Sequence, residues 1–565
     1  MKAVSLPTIA AVLLGLFTFA VFLPALHNGF VNWDDYKNLI DNPNYRGFGW
    51  EQLQWMWTNR WMSHYVPLTW MSFGLDYVIW KEAPLGYHLT NVLLHAANAA
   101  VFFLLALELF KVGFSRMERQ PEWPLLGGAA FASLFFSLHP LRVESVAWVT
   151  ERRDVLSGLF YLLALLVYIR AFQPAPRRSM PAKPYFICLG FFMMSLLSKE
   201  IAITLPAILL LLDVYPLRRL GGGPGRWIGR AVWGVWLEKI PFLLLGIADG
   251  AMVLYFAVQN HLVEGVGALG WATRIKITVY GMAFYLRKTV APTDLSPLYP
   301  LTRYKTLLWA APFQMSAAIV LPVTLLCLLL RRRFPGLLAV WTACAITLLP
   351  VSGLIQNGFQ IAADRYSYLA CLGYAILAGA AVSLSLRVGN PSRLRTAAIA
   401  SAALLVLSSL SLVTRKQMAI WRDSDTLWSR AIAVEPSFVA HLNLGSSFSS
   451  EGDSLGAAQQ FRQAIALWPE NGAAHNNLGK ALLQLRQWAE AAQEFRMAVQ
   501  LDPTPGAFNS LAHALTREGK IDEAVAALRE ALRIDPGDVS ARTNLQTLLA
   551  KKELQEQGGK SLETR

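Results

Sequence analysis

Long apolar runs alternate with short polar segments over most of the chain. The first run covers 6–26, and ten more follow at about 87–110, 124–139, 155–171, 184–198, 200–213, 241–257, 311–330, 335–351, 366–386 and 396–414. An α-helix of about 20 apolar residues spans the hydrocarbon core of a bilayer. The pattern therefore predicts an all-α, polytopic membrane domain of about eleven transmembrane helices over residues 1–420.

The first apolar run also has to be considered as a signal peptide, because Lys2 precedes it. The run is longer than the apolar region of a signal peptide, and no small-residue cleavage site follows it. We therefore expect this segment to be retained as the first span.

A different pattern begins after the last apolar run. Four prolines recur at intervals of 33, 34 and 33 residues: Pro436, Pro469, Pro503 and Pro536. This is the period of tetratricopeptide repeats. The positions between the prolines agree with it, since Gly445 and Phe461 of one repeat have counterparts in Gly479 and Phe495 of the next. The spacing predicts a tetratricopeptide-repeat α-solenoid at 421–550, followed by a polar tail at 551–565.

The composition excludes an ordinary soluble protein. Hydrophobic residues make up 54% of the 565 residues and charged residues only 16%, which indicates a membrane protein. The net charge of +14 comes largely from short Lys/Arg clusters between apolar runs, such as Arg177–Arg178 and Arg331–Arg333. Such clusters are typical of cytoplasmic loops, so no nucleic-acid partner is expected, while membrane lipids are.

These basic loops also predict the orientation of the chain. If Lys2 is cytoplasmic, so are the basic loops at 111–123, 172–183, 214–239, 331–334 and 387–395. This orientation requires that the segment 271–290 does not cross the membrane. The same orientation places the repeats on the non-cytoplasmic side. The short loops favour a bacterial inner membrane with a periplasmic active site and repeats.

Adjacent carboxylates follow the first span, in the sequence GFVNWDDYKNLID from Gly29 to Asp41. Asp34 and Asp35 resist simultaneous ionisation, which raises one pKa and leaves a base beside an acid. The pair indicates an active site at a membrane surface. The alternative is a solvated acidic loop.

A metal site is a further alternative. His64, His88, His95 and His139 could be combined on paper with the two aspartates, but no compact ligand motif such as HExxH is present. We expect no cofactor or metal, with a bound divalent metal left open. The seven-residue spacing of His88 and His95 equally fits helix packing.

Four motifs and the repeat array together resemble one family. The motifs are WDD at 33–35, HPLRVESVAWVTERRDVLSGLF at 139–160, SKE at 198–200 and ADRYSYLA at 363–370. In this order, with a trailing repeat array, they resemble the transmembrane-and-tetratricopeptide-repeat O-mannosyltransferases. That family belongs to the GT-C class of glycosyltransferases, alongside the protein O-mannosyltransferases.

The resemblance implies transfer of a sugar from a polyprenyl-phosphate-linked donor to an acceptor on the non-cytoplasmic face, with inversion. An acid of the first outer loop would then deprotonate the acceptor hydroxyl as it attacks. Asp35 is the first choice for this base and Asp34 its partner, although either could act. Glu144 would orient donor or acceptor hydroxyls, or simply pair with neighbouring arginines.

The leaving phosphate requires cations. Arg365, Lys199 and Arg152 are the candidates, and the supporting residues are His139, Asp154, Glu200, His64 and His88. Arg365 could instead be a helix-end arginine that reaches the interface. Lys199 could instead form an ion pair with Glu200 or Asp154.

Two other functions remain open at this point. The first is a GT-C enzyme that acts on a lipid or glycan, and the second is a non-catalytic scaffold that recruits proteins through its repeats. The concave groove of a helical solenoid suits an extended peptide, so we expect a protein or peptide acceptor.

Overall fold

The computed structural model describes residues 5–62, 64–115, 122–172, 179–220, 227–259, 270–301, 311–354, 360–387 and 392–563. By its internal contacts the chain divides into two compact units, the membrane unit Met1–Asp423 and the repeat unit Ser424–Arg565. Parts of the predicted cytoplasmic loops, including Arg177 and Arg178, lie outside the described residues.

The membrane unit is built from α-helices. Those described are α1 (Leu6–Phe22), α2 (Trp50–Thr58), α3 (Pro67–Trp80), α4 (Pro84–Gly113), α5 (Trp123–Ser137), α6 (Val143–Ala147), α7 (Arg152–Ala171), α8 (Ala182–Leu196), α9 (Leu205–Val214), α10 (Trp233–Leu237), α11 (Ile240–Gln259), α12 (Trp271–Val290), α13 (Ala311–Leu330), α14 (Pro335–Leu348), α15 (Ser367–Ala370), α16 (Leu372–Ser385) and α17 (Arg393–Ile420).

Short 3₁₀ and π segments connect several of these helices. The 3₁₀ segments include Leu23–His27, Pro43–Tyr45, Pro140–Arg142, Val149–Glu151, Glu200–Thr204, Arg230–Val232, Leu349–Val351 and Asp364–Tyr366, and a π segment covers Tyr36–Ile40. Two short strands, β1 (Tyr299–Pro300) and β2 (Gln360–Ala362), pair antiparallel, with Tyr299 opposite Ala362. The predicted all-α class is confirmed, since these strands are a minor addition.

Among the described residues, six helical segments are long and apolar enough to cross a membrane: Leu6–His27, Pro84–Gly113, Val149–Ala171, Trp233–Phe256, Ala311–Leu330 and Arg393–Ile420. Two bent pairs raise the number to as many as eight. Ala182–Leu196 and Pro335–Val351 are apolar but shorter. The count of eleven spans therefore stays a prediction, as does the placement of α12 at the interface.

The two bent pairs position the site. Trp123–Ser137 and Pro140–Ala147 meet at 54°, and Asp364–Ala370 and Leu372–Ser385 meet at 56°. At the first bend, His139 precedes Pro140 and has an extended backbone (φ −76°, ψ 133°), as expected for a residue before proline. Each bend turns a short helix, α6 or α15, away from the axis of the span beside it.

α5 and α16 approach each other closely at a pair of glycines. A Cβ atom on Gly128 would overlap the carbonyl oxygen of Gly379, and a Cβ atom on Gly379 would overlap that of Gly128. Small residues at such points let membrane helices pack with their backbones in contact. This contact joins the two bent pairs, because α5 belongs to one and α16 to the other.

The segment that follows α1 has its own aromatic core. Tyr45, Trp70, Phe73 and Tyr87 are buried and pack with Met56, Leu39, Val66 and Val149. Tyr45 and Tyr87 also hydrogen-bond through their hydroxyls at 3.0 Å. This core fixes the loop after α1 against α3, α4 and the start of α7.

The repeat unit consists of helices whose neighbours along the chain pack together. They are α18 (Ser424–Val434), α19 (Phe438–Ser450), α20 (Ser454–Leu467), α21 (Gly472–Gln484), α22 (Trp488–Leu501), α23 (Pro505–Glu518), α24 (Ile521–Ile534) and α25 (Val539–Glu563).

Several helices of the repeat unit begin at a side chain that caps the first turn. Asn471 accepts from the amide of Ala474 at 3.0 Å and Asp453 from that of Gly456 at 2.9 Å. Inside one helix pair, Gly479 lies against the buried ring of Phe495, where a Cβ atom would stand 2.7 Å from a ring carbon. The glycine therefore allows α21 and α22 to approach.

Candidate active site

The two adjacent aspartates have different environments. Asp35 is only 1% exposed. Its Oδ1 accepts hydrogen bonds from the amide and the hydroxyl of Thr150, at 2.9 and 2.6 Å, and its Oδ2 accepts from the amide of Val31 at 3.1 Å. Burial raises the pKa of Asp35 to about 7, although these hydrogen bonds oppose the rise. Asp35 thus joins the loop after α1 to the segment ahead of α7.

Asp34 faces a pocket instead. It is half-buried and lines a small pocket, whose polar residues also include Asn38, His64, Thr150 and Arg153. Its carboxylate has no hydrogen-bonding or ion-pair partner within the described part of the chain. Burial raises the pKa of Asp34 above the usual value for an aspartate, and the charges of Arg153 and Arg365 oppose the rise. Asp34 therefore offers a carboxylate that is free to accept a proton.

A group of cations surrounds Glu151, next to this pocket. Glu151 pairs with Arg153 and with Lys199, each at 2.7 Å, and with Arg365 at 3.4 Å. Lys199 also pairs with Asp154 at 2.8 Å. The side chains of Arg153 and Lys199 remain 12% exposed and that of Arg365 9%. Two of these cations, Arg153 and Arg365, act on Asp34 through their charge, while the paired carboxylates balance the charge of the group as a whole.

Glu144 and Arg365 contact each other directly. One carboxylate oxygen of Glu144 pairs with the guanidinium of Arg365, and the other accepts from the backbone amide of Arg365 at 2.9 Å. Glu144 lies on α6 and Arg365 on the 3₁₀ segment ahead of α15. The contact links the two bent helix pairs. It also holds the Arg365 side chain near Glu151.

Arg152 lies away from the pocket. Its side chain is 0% exposed and pairs with Asp76 of α3. It also donates to the side-chain oxygen of Asn91 at 2.8 Å and to the carbonyl of Tyr87 at 2.7 Å. The structure therefore does not bring Arg152, which we had predicted as a phosphate ligand, to the other cations. Its contacts tie the start of α7 to α3 and α4.

Of the predicted supporting residues, some lie at the pocket and others lie away from it. His64 lines the pocket and pairs with Glu200 at 3.0 Å, so Glu200 is not the partner of Lys199. His139 and His88 lie elsewhere, with Nε2 of His139 hydrogen-bonded to the carbonyl of Thr289 at 3.1 Å and Nε2 of His88 to that of Gly29 at 3.4 Å.

Metal ligands are not clustered in the described ranges. Among those residues, no group of three or more His, Cys, Asp or Glu side chains is arranged to hold a metal ion.

Three tryptophans lie beside the cation group. The ring of Trp148 stacks on Trp33 at 4.9 Å and on Trp421 at 5.6 Å. The guanidinium of Arg365 lies 5.4 Å from the ring centre of Trp148 and 5.9 Å from that of Trp33. This tryptophan stack therefore joins the loop after α1, the segment ahead of α7 and the end of α17.

Family models for the tetratricopeptide repeat match residues 442–507 and 505–548. The repeats that the proline spacing predicts are confirmed.

The relatives of the chain share one description. Protein O-mannosyl-transferase TMTC4 of Homo sapiens is 24% identical over 508 residues, which cover 80% of this chain and 66% of the relative. Protein O-mannosyl-transferase TMTC1 of Homo sapiens is 25% identical over 525 residues, which cover 83% of this chain and 56% of that relative. Protein O-mannosyl-transferase tmtc2 of Xenopus laevis is 36% identical over 157 residues, which cover 28% of this chain and 17% of that relative. The predicted family resemblance is confirmed.

The chain spans between 17% and 66% of the length of these three relatives. Among solved structures, the second tetratricopeptide domain of human RPAP3 is 27% identical, covers 20% of this chain and 92% of its own, and has a TM-score of 0.19. A chain of the Cut9–Hcn1 assembly is 14% identical, covers 86% of this chain and 98% of its own length, and has a TM-score of 0.24.

Two residues of the site were not among our candidates. Arg153 lines the pocket beside Asp34, and Glu151 is the carboxylate that the three cations share. Both belong to the motif at 139–160 that carries the family resemblance. The signal was therefore present in the sequence, but the motif alone does not tell which of its charged residues face the pocket.

Proposed function

We propose that this protein is a membrane glycosyltransferase of the GT-C type that transfers mannose to protein hydroxyls. The donor would be a polyprenyl-phosphate-linked sugar, and transfer would take place on the non-cytoplasmic face. Relatives named as protein O-mannosyl-transferases, which align with up to 83% of this chain, support the reaction. The single structural observation that carries the proposal is the free carboxylate of Asp34 beside Arg153, in a loop that directly follows a membrane-spanning helix.

In this mechanism Asp34 is the general base, in place of Asp35. The oxygen of the acceptor hydroxyl attacks the anomeric carbon from the face opposite the phosphate, which inverts the configuration. The bond from that carbon to the phosphate oxygen breaks, and the phosphate leaves with the electron pair. The hydroxyl proton passes to Asp34, whose carboxylate has no other partner in the described part of the chain.

Asp35 has a different role in this proposal. Its two carboxylate oxygens already accept three hydrogen bonds, so it holds the loop that presents Asp34. A base must reach the proton that it removes, and the 1% exposure of Asp35 keeps it from the pocket.

The cations stabilise the charge on the leaving phosphate. Arg153 is the one that lines the pocket, and we assign it the phosphate-binding role that we had predicted for Arg152. Lys199 and Arg365 add positive charge at the same place and are held there by Glu151 and Glu144. Fixed charges of this kind need no reorganisation as the negative charge develops.

The repeats would bind the acceptor protein. Stacked helix pairs form an extended surface suited to a peptide segment, and residues 442–548 match tetratricopeptide-repeat models. In the orientation that the basic loops favour, the site and the repeats share the non-cytoplasmic side, which in a bacterial inner membrane is the periplasm.

The test is sugar transfer by the full-length protein in lipid nanodiscs. It receives a panel of polyprenyl-phosphate sugars and a mixture of periplasmic proteins, and mass spectrometry detects modified serine and threonine residues. We expect transfer of mannose, and a loss of about 100-fold or more in Asp34→Asn, as is typical when a general base is removed.

The matched control is Asp41→Asn, the same chemical change at an exposed acid of the same loop, which should retain the rate. Full activity in Asp34→Asn together with loss in Asp35→Asn or Glu144→Gln would move the base to that residue. Consumption of no donor at all by the folded wild type would reject the enzyme.

A further inference from the structure

A second, much larger cavity lies within the membrane unit. It has a volume of about 740 Å³ and lies between α4, α7, α9, α14 and α16. Its walls are mainly aliphatic and aromatic, with Leu105, Leu165, Leu337 and Ile376 as examples. None of the described residues that line it is an acid. We refer to it as the apolar cleft.

One end of the apolar cleft carries polar groups. Arg218 and Arg333 both line it there and are exposed, and the described residues give neither an ion-pair partner. Tyr215 also lines the cleft, with its hydroxyl close to two glycines. A Cβ atom on Gly113 would stand 3.8 Å from that hydroxyl, and one on Gly336 would stand 3.7 Å from it.

The backbone at this end is also unusual. Arg218 has a positive φ of 58°, which residues with a side chain seldom adopt. Such conformations persist where the surroundings hold them, and they are frequent at ligand sites. Here the conformation belongs to Arg218, at the end of the cleft that carries both arginines, which we call its mouth.

The mouth, which is the end of the cleft at Tyr215, lies near one end of α4, and the start of α7 beside the Asp34 pocket lies near the other. α4 carries Asn91, which holds Arg152 at the start of α7, and also Gly113, which faces Tyr215. At 1.5 Å per residue these two positions are roughly 33 Å apart along the helix. This is about the thickness of the hydrocarbon core of a bilayer, roughly 30 Å.

The length of the cleft suits the hydrocarbon chains of one leaflet. Along α16 the lining runs from Leu372 to Leu384 and is continued by Leu369 of α15. This corresponds to roughly 20 Å, which is more than half of the ~30 Å core. An acyl chain whose headgroup lies at the mouth can therefore remain in the cleft over its length.

We propose that the apolar cleft binds one anionic phospholipid from the leaflet opposite the Asp34 pocket. Arg218, Arg333 and the hydroxyl of Tyr215 bind its phosphate, and its acyl chains occupy the cleft. Two arginines to which the described residues give no ion-pair partner favour an anionic over a zwitterionic headgroup. The sugar donor is a different molecule, because its phosphate has to reach the Asp34 pocket at the other interface.

The experiment measures lipid retention by native mass spectrometry of the full-length protein in detergent. The protein is titrated with palmitoyl-oleoyl phosphatidylglycerol and, separately, with the phosphatidylcholine of the same chains. We expect one phosphatidylglycerol per chain to be retained and phosphatidylcholine to bind more weakly. The double variant Arg218→Gln/Arg333→Gln should bind phosphatidylglycerol about 25-fold more weakly, since each arginine near an anionic lipid contributes about fivefold.

The matched control is Arg332→Gln/Arg393→Gln, which removes the same charge from two exposed arginines that do not line the cleft. It should bind phosphatidylglycerol like the wild type. Ala380→Trp places an indole in the cleft while both arginines remain, and it should also lose the lipid, which tests the acyl chains separately from the headgroup.

Three results would overturn the proposal. They are equal retention by the wild type and the Arg218→Gln/Arg333→Gln variant, equal retention of phosphatidylcholine and phosphatidylglycerol, and displacement of bound phosphatidylglycerol by equimolar polyprenyl phosphate. The last result would assign the cleft to a polyprenyl chain. None of these measurements depends on sugar transfer, so the proposal can fail or hold independently of the enzyme.

Discussion

Asp34 and Asp35 show how strongly two neighbouring residues of one type can differ. The carboxylate of Asp35 is fixed by Thr150 and Val31, while that of Asp34 has no partner among the described residues and lines a pocket with Arg153. In a chain that turns sharply after a helix, adjacent side chains point in different directions. In the proposed mechanism, the structural role and the chemical role are therefore separated within one dipeptide.

Asp35→Ala is expected to destabilise the protein. The change leaves the amide and hydroxyl of Thr150 and the amide of Val31 without their acceptor, which should cost about 3 kcal/mol or more. Thermal melting of the full-length protein in detergent should show a clear fall in Tm. Asp34→Asn is the control, because it removes no hydrogen bond that the described residues make, and its Tm should equal that of the wild type. An unchanged Tm in Asp35→Ala would contradict the structural role.

Arg153→Gln is expected to shift the pH dependence of transfer. Burial raises the pKa of Asp34, and the positive charge of Arg153 holds this rise back. Without that charge the carboxylate loses its proton only at higher pH. The acid limb of the rate profile, measured between about pH 4 and 8, should therefore move to higher pH.

Arg170→Gln provides the control for this shift, since it is the same change at the other end of α7. Its profile should match that of the wild type. A shift of the acid limb to lower pH in Arg153→Gln would show that Arg153 does not stabilise the ionised form of Asp34.

The sequence identified the region of the site but not every residue in it. Asp34, Lys199, Arg365 and Glu144 were predicted from their motifs, and the structure brings all four near Glu151. Arg152 and Arg153 could not be separated, because successive positions on a helix differ by about 100° in direction. Which of the two faces the pocket depends on α3 and α4, which contact Arg152 from distant parts of the chain.

At the level of the elements, the apolar runs located the helices well and the bends poorly. The runs at 124–139 and 366–386 correspond to α5 and to α15 with α16. Hydropathy gives no direction, so the 54° and 56° bends could not be predicted from it. Pro140 was the available signal for the first bend, since proline favours an extended residue before it.

Gly479→Ala is expected to destabilise the repeat unit. The added methyl group would meet the buried ring of Phe495 at 2.7 Å, and overpacking of this kind typically costs about 1–3 kcal/mol. Hydrogen exchange of α21 and α22 in the full-length protein should become faster.

A second change is expected to restore the packing. The next repeat combines Ala512 with Leu528 at the two equivalent positions, so Gly479→Ala with Phe495→Leu should recover slow exchange. Exchange that remains fast in the double variant would show that the clash with Phe495 is not the cause.

For the molecule as a whole, two kinds of periodicity predicted two units. The apolar runs of the membrane unit and the 33- or 34-residue repeats that follow are local signals, and each is visible without knowledge of the fold. Contacts between distant segments are not visible in this way. Ser367 accepts a hydrogen bond from Arg142 at 2.7 Å across 225 residues, and no pattern in the sequence indicates this pair.

A chain that stops after Asp423 is expected to separate acceptor selection from chemistry. The membrane unit has its own internal contacts and contains Asp34 and the cations. Transfer to a short serine- or threonine-containing peptide should therefore be retained, while transfer to intact periplasmic proteins should fall about tenfold or more. Mass spectrometry of both acceptors measures the two rates, and donor consumption serves as the control. An equal fall for peptide and protein would place the repeats in catalysis itself.

The tryptophan stack gives the molecule an optical property. Indole rings that stack at 4.9 and 5.6 Å couple their electronic transitions, so the stack acts as one chromophore with a split circular-dichroism band. Its three members come from the loop after α1, the segment ahead of α7 and the end of α17, and Arg365 lies against two of the rings. Any ligand that moves Arg365 or the first loop would change this band, which makes the unlabelled protein its own spectroscopic reporter.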